Sequence, residues 1–373
     1  LRVLADSGDF KKAESELRNV WLLAAAWLPA DQVDALVESD AALRLVVQLQ
    51  QVKDATARKT LFALLRESTK LERELVFAIG PQDRVESAYG VLTTLHGKFG
   101  ERIGAYPSLT AALCVVYDTP LFARRTTEPN KPEPIDPAAL FEYFTRHEQK
   151  LLFGLNTLPT DLMVYLVATT ATVDEMEWAL RTYGGDRNVG KRYSDLTYDT
   201  ASFKYNKPKK IASLPYTLEN LRKVGGVCEE QAYFAAHVAR AIGAPAVYIY
   251  GRNADMSHAW VGFLQDRGGS LAWNMDEGHY DEYEKILGSV TDPHTGRTIS
   301  DSELAMSAET LRVPGLGRYA AVALVDAAWL LSQDRKDWPP KLDPQVEGAL
   351  TKARPTGKDG TLQLLQAAVT IAP

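Results

Sequence analysis

Cysteine is scarce in this chain. Cys114 and Cys228 are the two in 373 residues. A pair so far apart in sequence is no disulfide framework, so stability must come from burial. This usage fits a reducing compartment and equally an exported protein without bridges. The chain opens at Leu1 rather than Met, which fits removal of a leader, so the compartment stays open between cytoplasmic and exported. Long apolar runs are also missing. A membrane span needs roughly 18 such residues. The run from Val20 to Ala30 is followed by Asp31, and the run from Tyr319 to Leu331 contains Asp326, so both read as buried helices of a soluble protein. An excess of positive charge is missing too. With 42 Lys and Arg against 48 Asp and Glu, the net charge of −6 argues against nucleic-acid binding driven by overall charge. No His, Cys, Asp and Glu spacing suggests a metal site. The stretch "GGDRNVGK" lacks both the spacing of a phosphate-binding loop and its following Ser or Thr. Neither a metal nor a cofactor is expected.

What is present is ordinary globular composition, 46% hydrophobic and 24% charged. Residues 1–125 read as a helical region, with apolar positions recurring every three or four residues. The opening "SGDFKKAESEL" is similar to half of a tetratricopeptide hairpin, through Gly8, Phe10 and Ala13. No second copy follows at that period, so a plain helical bundle is the expectation. Residues 126–137, "TTEPNKPEPIDP", hold four prolines and interrupt any helix, which marks a linker. Helices lead from about Ala138 to Tyr183. The stretch 184–217 is loop-like, and its Lys204, Lys207, Lys209 and Lys210 read as a solvated loop or as a rim attracting acidic substrate. One helix and three strands follow, an α+β pattern ending near residue 300. Residues 301–373 read as a helical extension, with "RYAAVALVDAAWLLSQ" and the terminal "TGKDGTLQLLQAAV" as helices.

The candidate chemistry lies in 226–276. Cys228 follows a Gly-Gly pair and opens a helix that Gly243 and Pro245 end. A thiol there feels the positive end of the helix dipole and free N–H groups, which favours the thiolate. Glu229 and Glu230 pull the other way. His258 opens the alternating strand "HAWVGFL". With the hairpin centred at Arg267, His258 lies opposite Asp276 and Trp260 opposite Asn274. Asp276, or Asn274 if the turn shifts, would then orient the imidazole as the third group of a nucleophile triad. His237 sits half a helical turn out of phase with Cys228 and should face away. Cys114, within "AALCVVY", reads as core.

Taken together, "GGVCEEQAYFAAHVARAIGAPAVYIYG", "SHAWVGFL" and "LAWNMD" resemble the transglutaminase-like superfamily. The matching residues are Gly226, Val227 and Cys228; Gly243 and Pro245; His258, Ala259, Trp260 and Val261; and Asp276. The usual Asp-Pro-Thr is replaced by "DEGHY". The resemblance implies an α+β, rearranged papain-like core at 138–300, with Cys228 as nucleophile, His258 as base then acid, and Asp276 as orienting group. The N–H of Cys228 and the side chain of Gln231 are the oxyanion candidates. The implied activity is a cysteine hydrolase or acyltransferase acting on a peptide or protein substrate through a thioester. A noncatalytic module of the same fold, binding a protein partner through its helical flanks, is the alternative. A helical scaffold with an accidental Cys-His pairing is a third reading.

Overall fold

The computed structural model describes residues 9–27, 33–124, 133–254, 256–268, 270–283, 285–308, 313, 315–332 and 368. The proline-rich residues 125–132 lie outside these, as do Gly8 of the tetratricopeptide-like opening and nearly all of the terminal helical stretch. The chain forms two compact units, one from residues 1–77 with 312–373 and the other from 78–311.

The first unit begins with α1 (Phe10–Trp27), α2 (Val33–Leu49), α3 (Ala55–Glu67) and α4 (Thr69–Ala78). In α1 the residues Phe10, Ala13, Leu17 and Trp21 recur every three or four positions and are buried, so one stripe of this helix faces the core. Asp54 caps α3 by accepting hydrogen bonds from the N–H groups of Thr56 and Ala57.

The second unit opens with α5 (Val85–Phe99) and α6 (Pro107–Val116). The two compact units divide between Phe77 and Ala78. The reason lies in α6. Every residue of it is buried, so it is a core helix rather than one face of a bundle. It packs on α7 (Pro137–His147) and α8 (Thr160–Val167). The flanks of the proline-rich stretch pair with each other, Ala123 N–H donating to Glu133 O and Ile135 N–H to Leu121 O, both at 2.8 Å. Both flanks thus lie in one unit.

Next come α9 (Val173–Tyr183), α10 (Thr200–Tyr205), α11 (Leu218–Val224) and α12 (Cys228–Ala241). Thr172 and Glu175 form a reciprocal capping box at α9. Gly243, at φ +91°, ends α12 as expected, and a Cβ there would lie 2.5 Å from that of Leu151. The sheet is antiparallel, in the order β3-β2-β1-β4-β5, from β1 (Ala246–Arg252), β2 (Ser257–Asp266), β3 (Leu271–Asn274), β4 (Gly288–Thr291) and β5 (Thr298–Ser300). Helix α12 packs against β1 and β2. Helix α13 (Asp301–Ser307) closes the unit, so the helical extension begins inside it. The α+β class and the helical N-terminal region are thus present. Helix α14 (Gly317–Ser332) belongs to the first unit, where Tyr319 and Ala320 share a core cluster with Val37. Among the described residues no helix is long and apolar enough to cross a membrane.

His237 lies within α12, fully covered and apart from the chemistry of that helix's first turn. Its Nδ1 is 2.9 Å from the Tyr233 carbonyl, and its Nε2 is 3.2 Å from the backbone N–H of Thr170. A carbonyl can only accept and an N–H can only donate, so the ring is held neutral with its proton on Nδ1. Burial and the nearby Arg240 push its pKa well below the usual histidine value. The sign for stability follows. The unfolded chain takes up a proton below about pH 6.5 that the folded ring refuses, so this contribution is present above that pH and is lost on acidification, by about 1.4 kcal/mol per pH unit at most. The Hε1 resonance of His237 should stay flat from pH 8 to 5.5, and a titration midpoint near 6.5 would contradict the burial argument.

Candidate active site

Helix α12 begins at Cys228 because Val227 is extended, with φ −89° and ψ −174°, while Glu230 folds back to accept the Val227 N–H at 3.0 Å. Gly226 must lack a side chain, since a Cβ there would run into that of Glu230. Gly225, at φ +80°, closes the preceding helix against the Thr197 carbonyl. The glycine pair thus brings the chain in tightly enough to set the thiol at the first turn of α12. Cys114, by contrast, is fully buried in α6.

The two glutamates beside Cys228 are not bare charges. Lys209 donates to Glu229 at 3.0 Å and to Glu230 at 2.7 Å, and Arg124 donates to Glu229 at 2.9 Å. Burial works to raise the Glu229 carboxyl, but these partners outweigh it and hold it below the usual range. The same bonds outweigh burial at Lys209 and hold its ammonium above its usual value. Lys209 is therefore the counterion of both glutamates, while Lys204 and Lys207 remain exposed.

The thiol of Cys228 is half-buried, and the backbone N–H groups of Ala259 and Glu229 point at it. Burial nevertheless dominates and pushes its pKa up, helped by the charges of Glu230 and Glu229. This departs from the helix-dipole expectation. The dipole and two N–H donors favour the thiolate, but desolvation outweighs them.

His258, next to Ala259, is buried at the start of β2. The Tyr283 ring stacks on it, with centroids 3.8 Å apart and planes within 7°. Burial raises the Tyr283 phenol's pKa, helped by the charge of Glu282 and, after it, by that of Cys228. Nε2 of His258 lies 2.6 Å from the Gly278 carbonyl oxygen. Burial lowers the pKa of the imidazole. The Gly278 carbonyl opposes this, His279 adds to it, and Glu282 opposes it more weakly. The raised thiol and the lowered imidazole are thus both neutral at neutral pH.

The hairpin register differs from the expected one. Asn274 pairs with Phe263 rather than Trp260, three residues along β2. The connection runs over residues 267–270, closed by Arg267 N–H donating to Ser270 O at 2.8 Å, so its centre lies beyond Arg267. An odd shift moves every side chain to the other face. Asn274 therefore shares a face with Phe263, and its amide pairs with Gln265 at 3.1 Å. Asp276 lies past the end of β3, is exposed, and does not stand opposite His258, whose cross-strand partner is Gly251. Gln231 is buried and its amide donates to the Leu196 carbonyl at 3.1 Å.

Three further residues bear on the site. Tyr193 donates its hydroxyl to the Ala259 carbonyl at 2.9 Å, Gly278 supplies the acceptor for His258, and Tyr283 covers the ring. The one sequence signal toward them is "DEGHY", where a glycine outside any regular element marks special backbone. Among the described residues no group of three or more His, Cys, Asp or Glu could hold a metal ion.

A family model for the transglutaminase-like superfamily matches residues 178–274. The chain therefore carries a transglutaminase-like domain, and the match runs from α9 to the end of β3. It includes Cys228, His258 and Asn274 and stops before Asp276 and Gly278. No curated protein and no solved structure matches the chain.

The raised thiol pKa has a direct readout. Alkylation of Cys228 by iodoacetamide should climb about tenfold per pH unit from pH 6 to 9, with no plateau at acid pH. A flat rate across pH 6–8 would mean a preformed thiolate and would contradict the burial-dominated pKa. Lys209→Met should leave the buried Glu230 short of its cation and destabilise the fold by about 1–3 kcal/mol, read as a lower urea midpoint.

Proposed function

We propose that this transglutaminase-like domain performs thiol-dependent acyl chemistry on a peptide or amide, with Cys228 as nucleophile and His258 as base and then acid. The observation that carries this reading is convergence. The thiol at the first turn of α12 receives the N–H of Ala259, the residue next to a buried imidazole whose Nε2 is already fixed. The rearranged papain-like architecture belongs to the same proposal, supported by a helix that begins at the thiol and packs on an antiparallel sheet bearing the histidine.

The steps follow from a neutral pair. As the carbonyl approaches, His258 takes the thiol proton and the sulfur attacks the carbonyl carbon. The oxyanion is met by N–H groups at the start of α12, where the Cys228 amide has no helical acceptor. Collapse breaks the C–N bond, the leaving nitrogen takes the proton from His258, and a thioester remains. Water or an amine then attacks, giving its proton to His258. The C–S bond breaks and the sulfur recovers the proton. Hydrolysis is the favoured outcome, with water as acceptor.

The raised thiol pKa favours a second reading, a module that keeps the fold and binds a protein partner without turnover. A peptide-library hydrolysis assay separates the two. Cys228→Ala should abolish turnover, and His258→Ala should reduce it by about 10²–10⁴-fold. Turnover that survives Cys228→Ala rules out the thiol mechanism, and absence of turnover across the library together with His258-independent alkylation of Cys228 supports the binding module.

A further inference from the structure

The geometry points to the main-chain carbonyl of Gly278, rather than a carboxylate, as the group that orients His258, with Tyr193 as the positioning residue that holds it. This rests on the proposed function above and names the third member of that site.

A carbonyl oxygen carries no proton and can only accept. At 2.6 Å from Nε2 it requires Nε2 to be the protonated nitrogen. Nδ1 is then left as the basic nitrogen, with no hydrogen bond to it among the described residues. The ring plane is fixed as well, since Tyr283 stacks on it within 7°. A triad needs these two things from its third member: one tautomer and one orientation.

The residue that supplies the carbonyl is itself packed in place. Gly278 has φ +84°, and a Cβ there would sit 2.6 Å from the Tyr193 ring, so that ring packs directly on the glycine. The Tyr193 hydroxyl donates to the Ala259 carbonyl at 2.9 Å, and the N–H of Ala259 points at Cys228. One buried side chain therefore touches both Ala259, whose N–H meets the thiol, and Gly278, whose carbonyl meets the imidazole. The loop beyond β3 adds its own bonds. His279 N–H donates to Asp276 O at 3.0 Å, Val261 N–H to Glu277 O at 3.4 Å, and Tyr283 N–H to Tyr280 O at 2.8 Å. The His279 ring stacks on Trp260 with centroids 4.5 Å apart.

The acidic residues nearby are placed for other roles. Asp276 is exposed, and its carboxylate makes no hydrogen bond among the described residues. Glu277 packs its side chain against Gly190. Glu282 is exposed and reaches His258 only through its charge.

The test uses the full chain, with iodoacetamide as the probe of Cys228 and ¹⁵N-histidine NMR as the probe of tautomer. His258 should appear as the Nε2–H form in the wild type, in Asp276→Asn and in Glu282→Gln. Both variants should keep the alkylation rate and its pH profile within about twofold of wild type. Tyr193→Phe, which keeps the ring and loses the hydroxyl, should slow the His258-dependent alkylation by about fivefold, the size of one net hydrogen bond, with the circular dichroism spectrum unchanged. The inference is overturned if His258 is the Nδ1–H form, or if Asp276→Asn or Glu282→Gln falls to the rate of His258→Ala. If His258→Ala itself leaves alkylation unchanged at every pH, the functional reading fails instead, and the tautomer spectrum alone then decides which group orients the ring.

Discussion

The buried carboxylate of Glu230 is the constraint around which the site is built. It is 1% exposed, accepts the Val227 N–H that starts α12, and takes the Lys209 ammonium. A buried carboxylate costs far too much to leave unpaired, so each of these contacts is obligatory. From them follow Gly226, which leaves space for the side chain, and the anchoring of the 209 loop, which also satisfies Glu229. The helix start that positions Cys228 is thus held by charge pairing as much as by apolar packing.

That arrangement sets the electrostatic character of the thiol. Two N–H groups favour a thiolate, but the paired glutamates and the low-dielectric surroundings favour the thiol. At His258 a neutral carbonyl accepts from the ring where a carboxylate would have stabilised the imidazolium. Both sides of the pair therefore rest uncharged. A site of this kind spends nothing on a standing ion pair and develops charge only when an electrophile arrives. A thiol of this kind resists adventitious alkylation and oxidation at neutral pH, because both need the thiolate.

Legibility in the sequence varied with the kind of signal. Cys228 and the end of its helix could be read from "GGVC" and from Gly243, since glycines mark backbone that other residues cannot adopt. His258 could be read from strand alternation. The partner of His258 could not, because hairpin register depends on where a turn centres, and a shift from Trp260 to Phe263 opposite Asn274 reverses the face. A carbonyl acceptor leaves no trace in residue identity, apart from the glycine that makes its backbone accessible. Lys209 was visible as one of four lysines, but nothing in their spacing distinguishes the one that is paired. The packing of α14 on α2 was illegible for a different reason. Contacts between α2 and α14 join residues with the whole second unit between them in sequence, and periodicity speaks only of neighbours.

That discontinuous first unit orders events on the ribosome. Helices α1 to α4 emerge long before α14, and the cluster of Val37, with Phe77 packed on it, lacks Tyr319 and Ala320 in the meantime. The second unit is continuous in sequence and can close its core as soon as residue 311 has emerged. The domain carrying the thiol and the imidazole is therefore complete while the first unit still lacks α14, and the face of α2 that α14 covers is the surface a chaperone would need to shield during synthesis.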